Sequence, residues 1–477
     1  MAEDTQEDDF ITAKFRLKDN DKNGEFRPLV VDYKSHPALK GIVKAFNNSN
    51  TIPTGLATIV KDKGIQKPTM KGKDVYLTGG SLRDHLKNKM VAEYDLATNA
   101  SPDEIRAILK TDDADLIEVK PPKADIQVMS RYKNLPDMEH RKRVFYASRW
   151  DSDHHEMEFT IIIEGKKTFL APFNLNNKNR MLTPKKRVFV TTPEEDSKSR
   201  DITINALYLK LKTDDGENGE LIDPHGGMFD LKAGRIALVK NSHDPLAKDP
   251  YLPFRLANIA SRFAFDKRIP KDIVDMIQES KGKFEYDNHV LKRYYVGAIE
   301  NPDLPVDYYL KNLVDTEIIS AIFPDCLITD PVNNIPNSKI IATAFILQKN
   351  MPSKIEHVLN MNGWSKTDIE NIVKFIKLAH FCNSNYINPH LIYDFFSKPF
   401  GMPNHNIKQF LDLMKKPDLY DKIFAHDFSD IMKKYVDNGG RREINPEYVK
   451  FLGRSPRTDE LESTREKLFD REIKKIL

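Results

Sequence analysis

Apolar residues along this chain keep two rhythms. Between residue 74 and about residue 240, short apolar runs alternate with stretches of helical spacing. From about residue 250 to the end the spacing is helical throughout. The first rhythm predicts strands and helices sharing one core, and the second an all-helical region. Residues 75–77 form a short apolar run and read as a buried strand that ends at Gly79-Gly80. Without Cβ atoms these two residues permit a tight turn and a close approach of backbone N–H groups to a ligand. Ser81 reads as the cap of an amphipathic helix over residues 82–90. Glu93 and Asp95 follow on the next predicted strand, where residues two apart point the same way. Ser101-Pro102 reads as an N-cap and first helical position, with Asp103 and Glu104 favourable in the first turn. Residues 156–163 read as a strand, and residues 36–47 as a helix. In the helical region, residues 365–378 carry Ser365 and Asp368 as a capping box, with Ile369, Ile372, Val373 and Ile376 on one face.

Composition bounds the picture. The chain has 477 residues, of which 30% are charged and 40% hydrophobic, enough for about three domains. No run reaches the ~18 apolar residues of a transmembrane helix, and the acidic start, residues 1–10, has no signal-peptide character. Cys326 and Cys382 make neither a disulfide framework nor a metal set, so the expected setting is cytoplasmic or another reducing intracellular compartment. A net charge of +3 neither demands nor excludes a nucleic acid.

Candidate chemistry gathers at three places. In the first, a glycine loop opening a helix is a natural phosphate cradle. Two neighbouring carboxylates repel each other unless a cation sits between them, so Glu93 and Asp95 point to Mg²⁺. The second place is 194–208, with Arg200, Asp201 and Asn205, followed by the glycine-rich segment 222–239, which reads as structural. The third begins at Lys248-Asp249 and runs into Leu252, Arg255, Asn258 and Arg262. Arginines and lysines between 130 and 200, such as Arg141, Arg143 and Lys185, are interleaved with Tyr132, Tyr146 and Trp150. Such a mixture suits phosphates and unpaired bases, although interspersed acids also fit a solvated surface. His154-His155 reads as a solvated turn, and His426-Asp427 has no matching second pair.

Read in order, these segments resemble the class II tRNA nucleotidyltransferases and bacterial poly(A) polymerases. That family shows Gly-Gly-x-x-Arg-Asp, then Asp-x-Asp with a following Thr, and this chain has Gly79, Gly80, Arg83, Asp84, Glu93, Asp95 and Thr98. Glu93 stands where Asp is usual. The family's Glu-Asp-x-x-Arg-Arg-Asp segment resembles residues 195–201, with Ser199 in place of the first Arg. Its base-reading Glu-Asp-x-x-Arg resembles 248–252, with Lys248 and Leu252 as departures. The resemblance covers about residues 74–265 strongly and the rest faintly, including a tail segment at 448–456.

The resemblance implies an α/β nucleotidyltransferase head, a mixed sheet with helices, followed by an all-α body and tail. The expected division is an N-terminal extension over 1–70, a head over 71–245, a nucleotide-selecting neck over 246–350 and an RNA-binding body and tail over 351–477. The implied reaction is template-independent transfer of a nucleoside monophosphate from a triphosphate to an RNA 3′ end, either tRNA or another RNA. Glu93 and Asp95 would hold two Mg²⁺ ions, with Glu158 as a third candidate ligand. Gly79, Gly80, Ser81 and Arg83 would hold the triphosphate. Arg200, Asp201 and Asn205 would position the sugar, and Asp249 would face the base, with help from Arg255. Leu252 offers no hydrogen bond, which leans the expected substrates to ATP, with CTP second. No membrane contact is expected. The competing reading is an RNA-binding protein on a catalytically decayed transferase head.

Overall fold

A computed structural model describes the strands at 10–13 and 29–32, the helix at 37–49, most of 72–110, the strands between 117 and 173, and 190–211, 220–240, 245–383 and 404–418. The chain divides into two compact units, Met1–Asp249 and Pro250–Leu477.

The first unit is built on an eight-stranded mixed sheet. In chain order its strands are β3 (Val75–Thr78), β4 (Tyr94–Thr98), β5 (Ile117–Glu118), β6 (Arg143–Trp150), β7 (Glu156–Ile163), β8 (Lys166–Pro172), β9 (Tyr208–Lys210) and β10 (Leu221–Ile222), and they lie in the order β10-β9-β3-β4-β8-β7-β6-β5. A separate antiparallel pair joins β1 (Phe10–Ala13) and β2 (Leu29–Asp32). Within the sheet, β3 runs antiparallel to both β4 and β9, whereas β4 and β8 run parallel. Helix α1 (Pro37–Ser49) packs on α3 (Pro102–Lys110) and against β7 and β8. The N-cap expected at Ser101 is present and is part of a capping box: the Ser101 N–H donates to Glu104 Oε2 at 2.8 Å, and the Glu104 N–H reaches back to Ser101 Oγ at 3.4 Å.

The first helix of the motif departs from expectation. Helix α2 runs Gly79–Leu86, with Thr78 rather than Ser81 at the N-cap position. Gly79 sits at φ +64°, a conformation that side chains disfavour, so the helix starts at once where the strand stops. Further on, helix α4 (Pro193–Ser197) leads through a tight turn at Thr203–Asn205 into β9, and α5 (Gly227–Ala233) packs on that turn. Gly227 allows this packing, because a Cβ there would overlap the Thr203 carbonyl oxygen. Asp223 caps α5 by accepting from the N–H groups of Gly227 and Met228 at 2.7 and 2.9 Å. The glycine-rich segment is therefore structural, as its sequence suggests. The short helix α6 (Pro245–Lys248) closes the unit.

The described part of the second unit is helical, from α7 (Leu252–Phe263) and α8 (Lys271–Glu279) through α9 (Asn288–Ile299), α10 (Val306–Asp315), α11 (Ile319–Ile322), α12 (Lys339–Leu347) and α13 (Pro352–Met361) to α14 (Lys366–Asn383). Asn312, 1% exposed, ties α10 to the end of α7: its amide donates to Ser261 Oγ and the Lys267 carbonyl, and its oxygen accepts from the Ile269 N–H. In α14 the Asp368 N–H donates to Ser365 Oγ at 3.1 Å, and Ile369, Ile372 and Ile376 are buried as their spacing predicts. Among the described residues no helix is long and apolar enough to cross a membrane. His154-His155, His426-Asp427 and the tail at 448–456 lie outside the described residues, as do most side chains of the basic, aromatic stretch.

Candidate active site

Three adjacent strands deliver the site. Tyr208 at the start of β9 pairs with Thr78 at the end of β3, and Asp95 lies one step beyond the Leu77–Leu96 pair of β3 and β4. The turn into α2 therefore opens with Asp95 on one flank and the 200–208 segment on the other. Gly79 is the meeting point. A Cβ there would lie 3.6 Å from Asp95 Oδ2 and 3.8 Å from Arg200 Nη1. The missing side chain leaves a small cradle faced by a carboxylate, a guanidinium and the N-terminus of α2.

Asp95 and Glu93 are both exposed, with the buried Tyr94 between them. Their exposure alternates as a period of 2 requires, although Glu93 lies in a bend just before β4. The backbone of Asp95 is pinned: its N–H donates to Ser81 Oγ at 3.0 Å, and that hydroxyl donates in turn to the Thr78 carbonyl at 2.9 Å. Ser81 is 4% exposed.

Arg83, which the sequence groups with Ser81 at the triphosphate, is also turned inward and is 6% exposed. Its Nε and Nη2 donate to Asp84 Oδ1 at 2.8 and 2.6 Å, and its Nη1 donates to Asn205 Oδ1 at 2.6 Å. The Asn205 amide donates to Asp201 Oδ1 at 3.4 Å, which also accepts from the Ile202 N–H at 2.9 Å. Arg83, Asn205 and Asp201 thus form one chain that locks α2 to the turn at Thr203–Asn205. Both Ser81 and Arg83 are thus engaged in hydrogen bonds within the head.

Arg200 is fixed by partners to which the sequence reading assigned no role. Its Nε and Nη2 donate to Asp196 Oδ2 at 3.1 and 2.8 Å, and Nε also donates to the Tyr208 hydroxyl at 3.2 Å. That hydroxyl donates to the same Asp196 oxygen at 2.6 Å. Burial by itself would lower the affinity of Arg200 for its proton, but Tyr208 and Asp196 outweigh it and raise it above its ordinary value. Burial pushes the Tyr208 hydroxyl well above its own ordinary value. Over the usual pH range the pair is a cation and a neutral phenol. The spacing of Asp196 and Arg200, one helical turn apart, was the available signal.

Other expected residues stand apart from this cluster. Glu158 lies in β7 opposite Arg149 of β6, so β8 separates its strand from β4, and its side chain lies outside the described residues. Among the described residues no group of three or more His, Cys, Asp or Glu is placed to hold a metal. Asp249 follows α6 and donates its N–H to the Pro245 carbonyl. Arg255 is a half-buried residue of α7 in the second unit. Leu252, at the family's base-reading position, is only 1% exposed and belongs to the core.

Comparison with known proteins agrees with the motifs. Residues 75–237 match the family model of the poly A polymerase head domain. The chain is 28% identical to a CCA-adding enzyme of Enterococcus faecalis over 201 residues, 42% of this chain and 39% of that one. It is 27% identical to poly(A) polymerase I of Salmonella typhimurium over 193 residues, 40% of this chain and 34% of that one. These matches span about two fifths or less of the relatives' length. A solved structure of a CCA-adding enzyme with ATP superposes with a TM-score of 0.52 and 17% identity, covering 93% of this chain and 92% of that one, a likeness of fold.

Proposed function

We propose that this chain, with its head matched over residues 75–237 to that of poly A polymerases, is a template-independent RNA nucleotidyltransferase. The observation that carries the reading is the Gly79 cradle, with Asp95 Oδ2 and Arg200 Nη1 converging on it. The substrates are a nucleoside triphosphate, ATP first and CTP second, and the 3′ end of an RNA, tRNA or another. The 3′ oxygen bonds to the α-phosphorus, the bond from that phosphorus to the bridging oxygen breaks, and pyrophosphate leaves with the proton passing to solvent.

The residues fit Mg²⁺. Asp95 is an exposed oxygen donor beside a space that a Cβ would fill, Glu93 is a second exposed carboxylate two residues earlier, and hard divalent cations prefer such ligands. When bound, Mg²⁺ supplies a lowered pKa for the attacking hydroxyl and neutralisation of the triphosphate. The protein's own part is positioning. The start of α2 offers N–H groups to the phosphates, and Arg200 adds a cation beside them. Ser81 sets the height of Asp95, while Arg83 and Asn205 hold the cradle's far wall. Asp201 and Asn205 remain the candidates for the sugar, and Asp249 for the base.

The test is direct. Protein, Mg²⁺, labelled RNA and each triphosphate singly should give stepwise extension with ATP and weaker extension with CTP. No extension with any triphosphate would overturn the reading in favour of a decayed, RNA-binding head.

A further inference from the structure

A guanidinium on a connecting segment has many rotamers, and ordering it has an entropic cost. Arg200 has lost that freedom to two buried groups. Asp196, 3% exposed, takes both Nε and Nη2 on one oxygen. Tyr208 bonds the same oxygen and Nε, and the Arg200 Cζ lies 5.4 Å from its ring centroid. Tyr208 is itself immobile: it is 0% exposed, its ring meets Phe173 edge-on at 5.9 Å, and Phe173 packs on Tyr76 at 5.4 Å. Three of the guanidinium's surroundings are thereby set by the core of the head, and Nη1 is the corner turned to Gly79.

We propose, resting on the transferase reading above, that Asp196 and Tyr208 are positioning residues that aim Arg200 Nη1 at the triphosphate of the incoming nucleotide. Arg200 Nη1 and Asp95 Oδ2 both lie within 4 Å of the point that a Gly79 Cβ would occupy, so the fixed guanidinium faces the same cradle as that carboxylate.

The test uses the full chain with Asp196→Asn, and Tyr208→Phe as the milder variant that keeps the ring. The probe is α,β-methylene-ATP with Mg²⁺, titrated by calorimetry on folded protein, with melting curves alongside. Affinity should fall about tenfold in Asp196→Asn and about threefold in Tyr208→Phe, as expected for losing a charge-assisted and a neutral hydrogen bond. The KM for ATP should rise in parallel. In an Arg200→Lys background, Asp196→Asn should add no further loss, because linked residues are not additive. Unchanged affinity per folded molecule, or a fully additive double variant, would make the pair merely structural and overturn the inference while the transferase reading stands. If the unaltered protein neither binds the probe nor extends RNA, the reading fails and the inference with it.

Discussion

Asp95 is exposed at its carboxylate while the backbone beneath it is held by Ser81 and Thr78. Replacing that carboxylate therefore removes chemistry without removing packing. Asp95→Ala should lower nucleotide transfer by about a thousandfold or more, the worth of several kcal/mol of metal-assisted stabilisation, with an unchanged melting curve. Glu93→Asp should retain activity, since it keeps a carboxylate at the same position. Ser81→Ala is the complementary case. It leaves the half-buried N–H of Asp95 without its hydroxyl partner, which should cost about 1 kcal/mol in a denaturant titration. Transfer should fall as well, because the ligand's height above the cradle is no longer set. A Ser81→Ala protein with full stability and full rate would show that the hydroxyl bears on neither.

At the scale of elements, the start of α7 and the ends of α4 and α5 carry the expectations. Leu252 opens α7 from within the core. An Arg there does not regain a base-reading contact but buries a charge. Leu252→Arg should cost about 3–5 kcal/mol, as an unpaired buried charge does, seen as a lowered denaturant midpoint. His225 Nε2 meets Ser197 Oγ at 2.9 Å, joining the end of α4 to the loop before α5. Burial lowers the pKa of His225 below its ordinary 6.5. The unfolded chain thus accepts a proton that the fold resists, so stability is fully present above about pH 6.5 and falls as acid approaches the folded value. His225→Gln should flatten that loss: its melting temperature should drop less than that of the unaltered protein between neutral pH and about pH 5.

For the whole molecule, an RNA partner implies phosphate contacts and release of counterions. Binding to a labelled RNA should weaken steeply with salt, with a log–log slope near −0.7 per phosphate contacted; a flat response would exclude a basic RNA track in the 141–187 stretch. The alternation of strands and helices before about residue 240, the turn at Gly79, the N-cap at Ser101 and the apolar stripe of α14 are legible in the chain, because each depends on period or on neighbours a few residues apart. The helix start at Gly79 is not legible, since Ser81 looks like a cap until the N–H of Asp95, distant in sequence by fourteen residues, takes its hydroxyl. Arg83 and Ser81 read as ligands of a phosphate because both types bind phosphate, and only the fold shows them bonded inward. The burial of Leu252 and the grip of Asp196 and Tyr208 on Arg200 were likewise invisible. Local pattern determines which residue types the chain brings to a turn or a strand. Which way a side chain with several possible partners finally points is decided by cross-strand register and core packing, which join residues as far apart as Thr78 and Tyr208.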